Sequence, residues 1–406
     1  MAADSGCRET ARLLSCPHPY RAMLAVCSDL DETPSFGSYF EIIRYLNSTE
    51  QTSMGPGVGL EIGNTIFFDM APREVAYWNA SEADRARLRT FMRSGHIDCI
   101  HSFGDLAATR GHAARALDEL DRHDLRLSVW IDHAVAPTNF GPDIMQGTGD
   151  VPGAPAYHAD LTHAYGVRYV WRGRVSSVTG QDVPRRLGGI VNRQHRAASA
   201  RTLAKEAVKG LVGRLGARKY EMHAPNRLLR RALLRDGRPV LEFLRANPHW
   251  AAVDRGETSD GFAEVVTSPM LERLVERGGL MVLYTHLGKA GNPEVPFSPA
   301  TRAAFERLRD EQQARRILVT TTRRLLDYAH DREEATWECR RRDGWLEIDV
   351  KTPCAGSGLS FEVSAPDRTR LVVNGRSCES PYRSPTGPDG AGVIGVPWPR
   401  LEWPRP

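Results

Sequence analysis

An α/β fold built on parallel strands, followed by a small C-terminal antiparallel β domain, is what this chain of 406 residues predicts. Three observations carry that expectation. Between Arg21 and Tyr328, short apolar runs of strand length alternate with helical patterns, and such alternation implies parallel pairing through crossover connections. The apolar runs end in Asp, His or Arg, the residue types that gather at the C-terminal rim of a parallel barrel. Beyond about Asp331 the pattern changes to polar–apolar alternation, which reads as antiparallel strands.

The first apolar run, Ala22–Val26, suits a strand covered on both faces. It opens through Cys27 and Ser28 onto Asp29 and Asp31. Two carboxylates at the end of a buried strand hold a cation or act as a general base, or else form an acidic turn that caps the next helix. Phe36–Leu46 has helical spacing. The glycines of Gly55–Gly63 lack the GxxxxGK[ST] pattern of a phosphate loop, and Leu60–Phe68 reads as a strand. Ser81-Glu-Ala-Asp84 is a capped helix start that runs to a stop at Gly95. The strand Ile97–Ile100 follows, with His101-Ser-Phe-Gly-Asp105 hanging from its end. A helix over His112–His123 leads into the strand Leu125–Ile131, which ends in Asp132-His133. Val167–Trp171 ends in Arg172, and Leu280–Tyr284 ends in Thr285-His286. A helix over Ser298–Gln313 and the strand Ile317–Thr322 close the series.

The hydrophobic fraction of 41% and charged fraction of 26% are those of a soluble globular protein. No apolar run reaches membrane-spanning length, so no membrane partner is expected. A net charge of +4 does not point to nucleic acid. Met1–Pro19 lacks a basic-then-apolar signal pattern, which leads us to expect a cytoplasmic protein. The seven cysteines are irregularly spaced with no CxxC, against a disulfide framework or a zinc ribbon. The division expected is an N-terminal extension (1–20), a (β/α) barrel (21–330) and a β domain with a Pro/Gly-rich tail (331–406), the last an accessory or oligomerisation module that leaves a homo-oligomer open. Within the barrel, about 172–219 forms a basic helical insertion with twelve Arg or Lys against two acids. It is either a solvated face or a lobe that attracts an anionic substrate.

The rim residues are metal ligands by type. Carboxylate with imidazole suits Zn²⁺ or another divalent transition metal. A neighbouring carboxylate can take a proton from water and a His across the site can protonate a leaving group, an assembly suited to amide or ester hydrolysis. Trp171, Arg172 and His223 are candidate substrate contacts.

In strand order, Ser28-Asp29-Leu30-Asp31, then His101-Ser102-Phe103-Gly104-Asp105, then Leu283-Tyr-Thr-His286 resemble the polysaccharide deacetylase family, the NodB-homology carbohydrate esterases. That resemblance implies a deformed (β/α) barrel that removes N-acetyl groups from amino sugars with a divalent metal, zinc in the first instance. It also implies Asp29 as base, His286 as acid, and Asp31 and His101 as ligands. The family's second motif carries a further His, replaced here by Asp105 one position later, so the third ligand is Asp105 or His133. The substrate implied is an N-acylated amino sugar or glycoconjugate intermediate. Two alternatives stand beside it: a glycoside hydrolase pairing Asp29 or Asp31 with an acid such as Glu61, and a non-catalytic carbohydrate-binding protein.

Overall fold

The computed structural model describes residues 11–29, 32–191, 196–248, 258–290 and 292–404. Eleven strands form the central sheet, numbered here in chain order. They are β1 (Ala22–Ser28), β2 (Gly63–Ile66), β3 (Ile97–His101), β4 (Val129–Ile131), β5 (Tyr169–Trp171) and β6 (Val175–Ser176). The series continues with β7 (Leu229–Leu233), β8 (Pro239–Phe243), β9 (Arg245–Ala246), β10 (Leu280–Thr285) and β11 (Ile317–Thr320).

Ten of them run in the order β7-β8-β5-β4-β3-β2-β1-β10-β9-β6, and β11 pairs with the start of β1. Every pairing is parallel except β7 with β8. The sheet curls into a half-barrel, and the connectivity shows why it must. A single residue, Leu244, separates β8 near one edge from β9 near the other, and three residues separate β5 from β6. So few residues span only about 10 Å, so the two edges have to approach each other.

The strand β1 is buried along its whole length. Met23, Ala25 and Cys27 face one core, shared with Tyr169, Trp171, Leu280 and Tyr284 inside the curl. Ala22, Leu24 and Val26 face another, packed on the outer helices through Ile42, Leu274 and Phe305. Two-sided burial explains the continuous apolar run that announces this strand. The helices begin and end on their capping chemistry. Ser35 Oγ accepts from Ser38 N at the head of Phe36–Asn47. Ser81 does the same for Glu82–Ser94, which stops at left-handed Gly95.

The hairpin of β7 and β8 is absent from the sequence expectation. The strand β7 is an edge strand in which only Leu229 is buried and two of the five residues are Arg, so it carries no apolar run. Its one signal is Asp236-Gly237 between the strands, a turn dipeptide with Gly237 at φ +87°.

The C-terminal region forms two small four-stranded sheets. One joins Thr336–Arg342, Trp345–Lys351, Thr369–Val373 and Arg376–Ser377. Asn374 and Gly375, both at positive φ, turn its last hairpin. The pairing of Trp345–Lys351 with Thr369–Val373 is parallel, a departure from the antiparallel expectation. Its cause is a crossover, because the chain between these strands visits the other sheet as Ser360–Val363. That second sheet is antiparallel and takes a strand from the N-terminal segment, Ala11–Leu13.

Leu346, Ile348, Phe361 and Leu371 of these sheets share one core with Met23, Ala25 and Leu318 of the central sheet. Phe361 is fully buried and meets Trp337 edge-on at 5.5 Å. Phe361→Ala should cost about 3–5 kcal/mol. Chemical denaturation followed by tryptophan fluorescence and by circular dichroism should still give one coincident transition. Two separated transitions would mean that the C-terminal sheets fold independently of the barrel.

Candidate functional site

In-register parallel pairing delivers side chains to one rim. Ser28 at the end of β1 lies opposite Thr285 at the end of β10, so Asp29 and His286 leave the sheet as neighbours. Two hydrogen bonds fix them there. Asp29 N donates to Thr285 O (2.9 Å), and Leu287 N donates to Ser28 Oγ (3.1 Å). His101 is the last residue of β3, and Asp132 and His133 follow β4 directly. All five line one cavity of about 490 Å³, together with Asp105, Trp171, Tyr284, Lys289 and the Met70 and Met145 side chains.

Asp29 is buried, and its two oxygens have different partners. Oδ1 accepts from Arg245 Nη2 at 2.6 Å. Oδ2 lies 3.9 Å from His101 Nε2 and 4.0 Å from His286 Nε2. Arg245, on β9, is completely buried. Its guanidinium lies between Trp171 and Tyr284, 4.4 Å from each ring, and Nη2 also reaches Cys27 O (3.2 Å). Burial works against the charge of Arg245, but Asp29 outweighs it and the group is held more firmly protonated than usual. A cation in this position requires a counter-charge, and Asp29 supplies it.

The loop after His101 is strained. Ser102, Phe103 and Gly104 all have positive φ, at 50°, 62° and 104°. A bulky side chain in the left-handed region is costly and persists only where surroundings enforce it. Here Phe103 is buried edge-on against Trp130 (5.0 Å), and Phe103 O accepts from Phe68 N and Asp69 N. Gly104 is required twice over, since a Cβ there would stand 2.2 Å from Asp69 O. The turn brings Asp105 back toward the cavity, where its Oδ1 lies 2.8 Å from His133 Nδ1. Asn139 holds the other side of that histidine, accepting from His133 N (2.9 Å) and donating to His133 O (2.8 Å). Phe67 stacks on His101 at 4.3 Å, and the rings of His101 and His133 are 4.9 Å apart.

Asp132 is fully buried. Its Oδ1 accepts from Trp130 Nε1 (2.7 Å) and Phe140 N (2.9 Å), while Oδ2 has no hydrogen-bond partner among the described residues. Burial pushes its pKa up to about 7, against the lowering effect of those two donors.

The structure thus brings together Asp29, His286, His101, Asp105, His133 and Trp171. Asp31 lies outside the described residues. Arg172 turns away: its Nε bonds Glu242 Oε1 (3.1 Å), and it lines a separate, arginine-rich cavity. His223 lines a third cavity, which shares Trp171 and Tyr284 with the first. Glu61 is not at the cavity; it is buried against Arg324, Thr320 Oγ1 and Leu401 N. Sequence reasoning missed Arg245, Tyr284 and Asp132 as site residues. Asp132 adjoins His133 and Tyr284 lies two residues before His286, but Arg245 begins a two-residue strand too short to stand out in the sequence.

The donor types suit a divalent transition metal. In both His101 and His133, Nδ1 faces a protein oxygen (Thr65 Oγ1 at 3.4 Å, Asp105 Oδ1 at 2.8 Å). Metal-binding imidazoles are oriented in this way when Nε2 is the donor. By that geometry Asp105 orients His133. Among the described residues no group of three His, Cys, Asp or Glu side chains converges to hold an ion.

No family model matches the chain, and no curated protein matches it.

Two outcomes follow from this geometry. Asp29→Leu leaves the Arg245 charge buried without its partner and should cost about 3–5 kcal/mol. The double variant Asp29→Leu/Arg245→Met should recover most of that loss in a denaturant titration. A double variant as unstable as the single one would remove the ion pair as the cause. For Asp132, the folded state keeps its proton up to about pH 7, whereas the unfolded carboxyl loses it near pH 4. Between these limits the folded state binds the extra proton, so this group makes stability fall as pH rises. Asp132→Asn should flatten that slope, measured as denaturation midpoints across the pH range.

Proposed function

We propose that this protein is a metal-dependent hydrolase that removes an N-acyl group from an amino sugar or glycoconjugate. One observation carries the reading: the buried carboxylate of Asp29, fixed by Arg245 through one oxygen, presents the other to two imidazoles across one cavity. The resemblance in motif order to the NodB-homology deacetylases supports it. Asp31, His101 and His133 are the residues that would hold the ion. When bound, a divalent cation would polarise the acyl carbonyl and its attacking water.

The chain's own groups supply the proton traffic. Asp29 Oδ2 takes a proton from water as the oxygen adds to the acyl carbon. His286, 4.0 Å from that oxygen, gives a proton to the amide nitrogen as the carbon–nitrogen bond breaks. The products are a carboxylic acid and a free amine. Arg245 fixes the rotamer of Asp29, so only one of its oxygens faces the cavity. Trp171 and Tyr284, both buried and packed against Arg245, contribute an aromatic wall to the cavity that would border a bound sugar.

Among the described residues no helix is long and apolar enough to cross a membrane. Cys339 is disulfide-bonded, which irregular cysteine spacing does not advertise. Disulfides persist in oxidising compartments. The cytoplasmic expectation therefore gains no support.

The test is elemental analysis of purified protein joined to an assay of acetate release from N-acetylated sugars. Bound divalent metal, loss of activity with chelator and recovery on zinc addition are expected. His101→Ala should lose the metal and, with it, the stability that binding confers on the folded state. Asp29→Asn should keep the metal while slowing turnover by about 10²-fold or more. A chelator-resistant activity, or full metal content in His101→Ala, would sink the proposal.

A further inference from the structure

Behind the aromatic wall lies a second cavity of about 350 Å³. Met145, Trp171 and Tyr284 line both cavities, so the two are immediate neighbours on either side of one wall. The linings differ sharply. The first holds carboxylates and imidazoles. The second holds Lys205, Lys209, Lys219, Arg174 and His223, with no acidic residue in its wall among the described residues. Only five of the chain's 54 basic residues are lysines, and three of those five line this one cavity. That concentration is not a by-product of an arginine-rich composition.

Existing ion pairs do not consume the excess. Lys209 Nζ bonds Glu206 Oε1 (2.8 Å) and Val175 O (2.8 Å), and Arg174 is held by Asp143 Oδ1 (2.8 Å). Lys205 and Lys219 have no carboxylate within ion-pair distance among the described residues. His223 provides the second observation. It is buried, and Nε2 donates to Val175 O (3.2 Å), which makes Nδ1 the lone-pair nitrogen. That nitrogen is buried and has no hydrogen-bond partner among the described residues. Burial, then Lys209, pushes the pKa of His223 down to about 4, so the ring stays a neutral acceptor. The cavity thus offers a hydroxyl acceptor beside two uncompensated ammonium groups.

We propose that this lysine-lined cavity binds an anionic group, a phosphate or a carboxylate, borne by the same sugar that enters the Asp29 cavity. Lysine suits the role as a compact point charge. Nδ1 of His223 takes a hydroxyl hydrogen of the sugar, and the aromatic wall lies between the two subsites. The inference rests on the N-deacylase reading only for the identity of the group next door.

Isothermal titration calorimetry of the full chain tests it with three probes. They are N-acetylglucosamine 1-phosphate, an N-acetylglucosamine–glucuronic acid disaccharide and neutral diacetylchitobiose. At low salt, one or both charged probes should bind about tenfold or more tightly than the neutral one, a gap of about 1.4 kcal/mol. The better of the two identifies the anion. Lys205→Glu/Lys219→Glu, at positions that need no burial, should bring charged probes to the neutral level and leave the neutral probe unchanged. Arg201→Glu, an exposed cation outside the cavity on the helix Arg196–Arg214 that also carries Lys205, should keep the preference. Equal affinities for all probes, a preference that survives in the lysine variant, or no binding at all would overturn the subsite. Acetate release is scored separately. Charge-selective binding without hydrolysis leaves the subsite standing and removes the deacylase, while hydrolysis with a KM blind to charge does the reverse.

Discussion

The pairing of Asp29 with Arg245 is the constraint on which the rest of the rim depends. A guanidinium with no solvent exposure is costly unless its charge and hydrogen-bonding capacity are met within the protein. Asp29 meets the charge, the Cys27 carbonyl meets one further donor direction of Nη2, and Trp171 and Tyr284 pack against the guanidinium, while Nε and Nη1 have no hydrogen-bond partner among the described residues. These partners come from β1, β5 and β10, while Arg245 itself begins β9. The same group therefore ties four strands at the rim and sets the rotamer of the carboxylate that the proposed chemistry uses. Positioning and stability are two effects of one interaction here, so substitutions at Asp29 must be judged by stability as well as by rate.

A second constraint lies across the cavity. The chain spends conformational energy on three consecutive positive φ angles after His101. In exchange, the buried Phe103 anchors the turn and Asp105 comes within 2.8 Å of His133. A relaxed turn would send Asp105 elsewhere and leave His133 unoriented. Strain concentrated beside candidate ligands is consistent with a preorganised site. The supports that enforce it, Phe68, Asp69 and Thr138, come from neighbouring loops and not from the turn itself.

Much of this was legible in the sequence because parallel strands are buried on both faces and so read as apolar runs. The runs that contain β1, β3, β4, β5, β10 and β11 stand out for this reason, and Asp29, His101, Asp132, His133 and His286, which close or follow four of them, line the cavity. What stayed hidden lacked that contrast. The edge strand β7 has one buried residue and two adjacent arginines, and β9 is two residues long, so Arg245 carried no positional signal. Arg172 shows the converse limit. It follows β5 as the rule requires, yet the buried carboxylate of Glu242 on the adjacent strand β8 draws it to the other side. Strand order gives the rim, whereas the direction of each rim side chain is decided by partners distant in sequence.

The same logic separates the two cavities that share the aromatic wall. Buried charge must be balanced locally, and the balance differs on each side of Trp171 and Tyr284. On one side Asp29 is matched by Arg245 within the protein. On the other, Glu206 is buried and takes both Arg185 and Lys209, and Lys205 and Lys219 have no carboxylate within ion-pair distance among the described residues. Water and salt can screen exposed lysine heads, so the imbalance costs the free protein little. It becomes an attraction only when an anion enters a space that excludes part of that water. A ring bound beside the wall would bring such an anion in at no further cost in translational freedom, because its other end is already held. Selectivity for a charged sugar would then follow from the placement of two lysines, with the catalytic groups left unchanged.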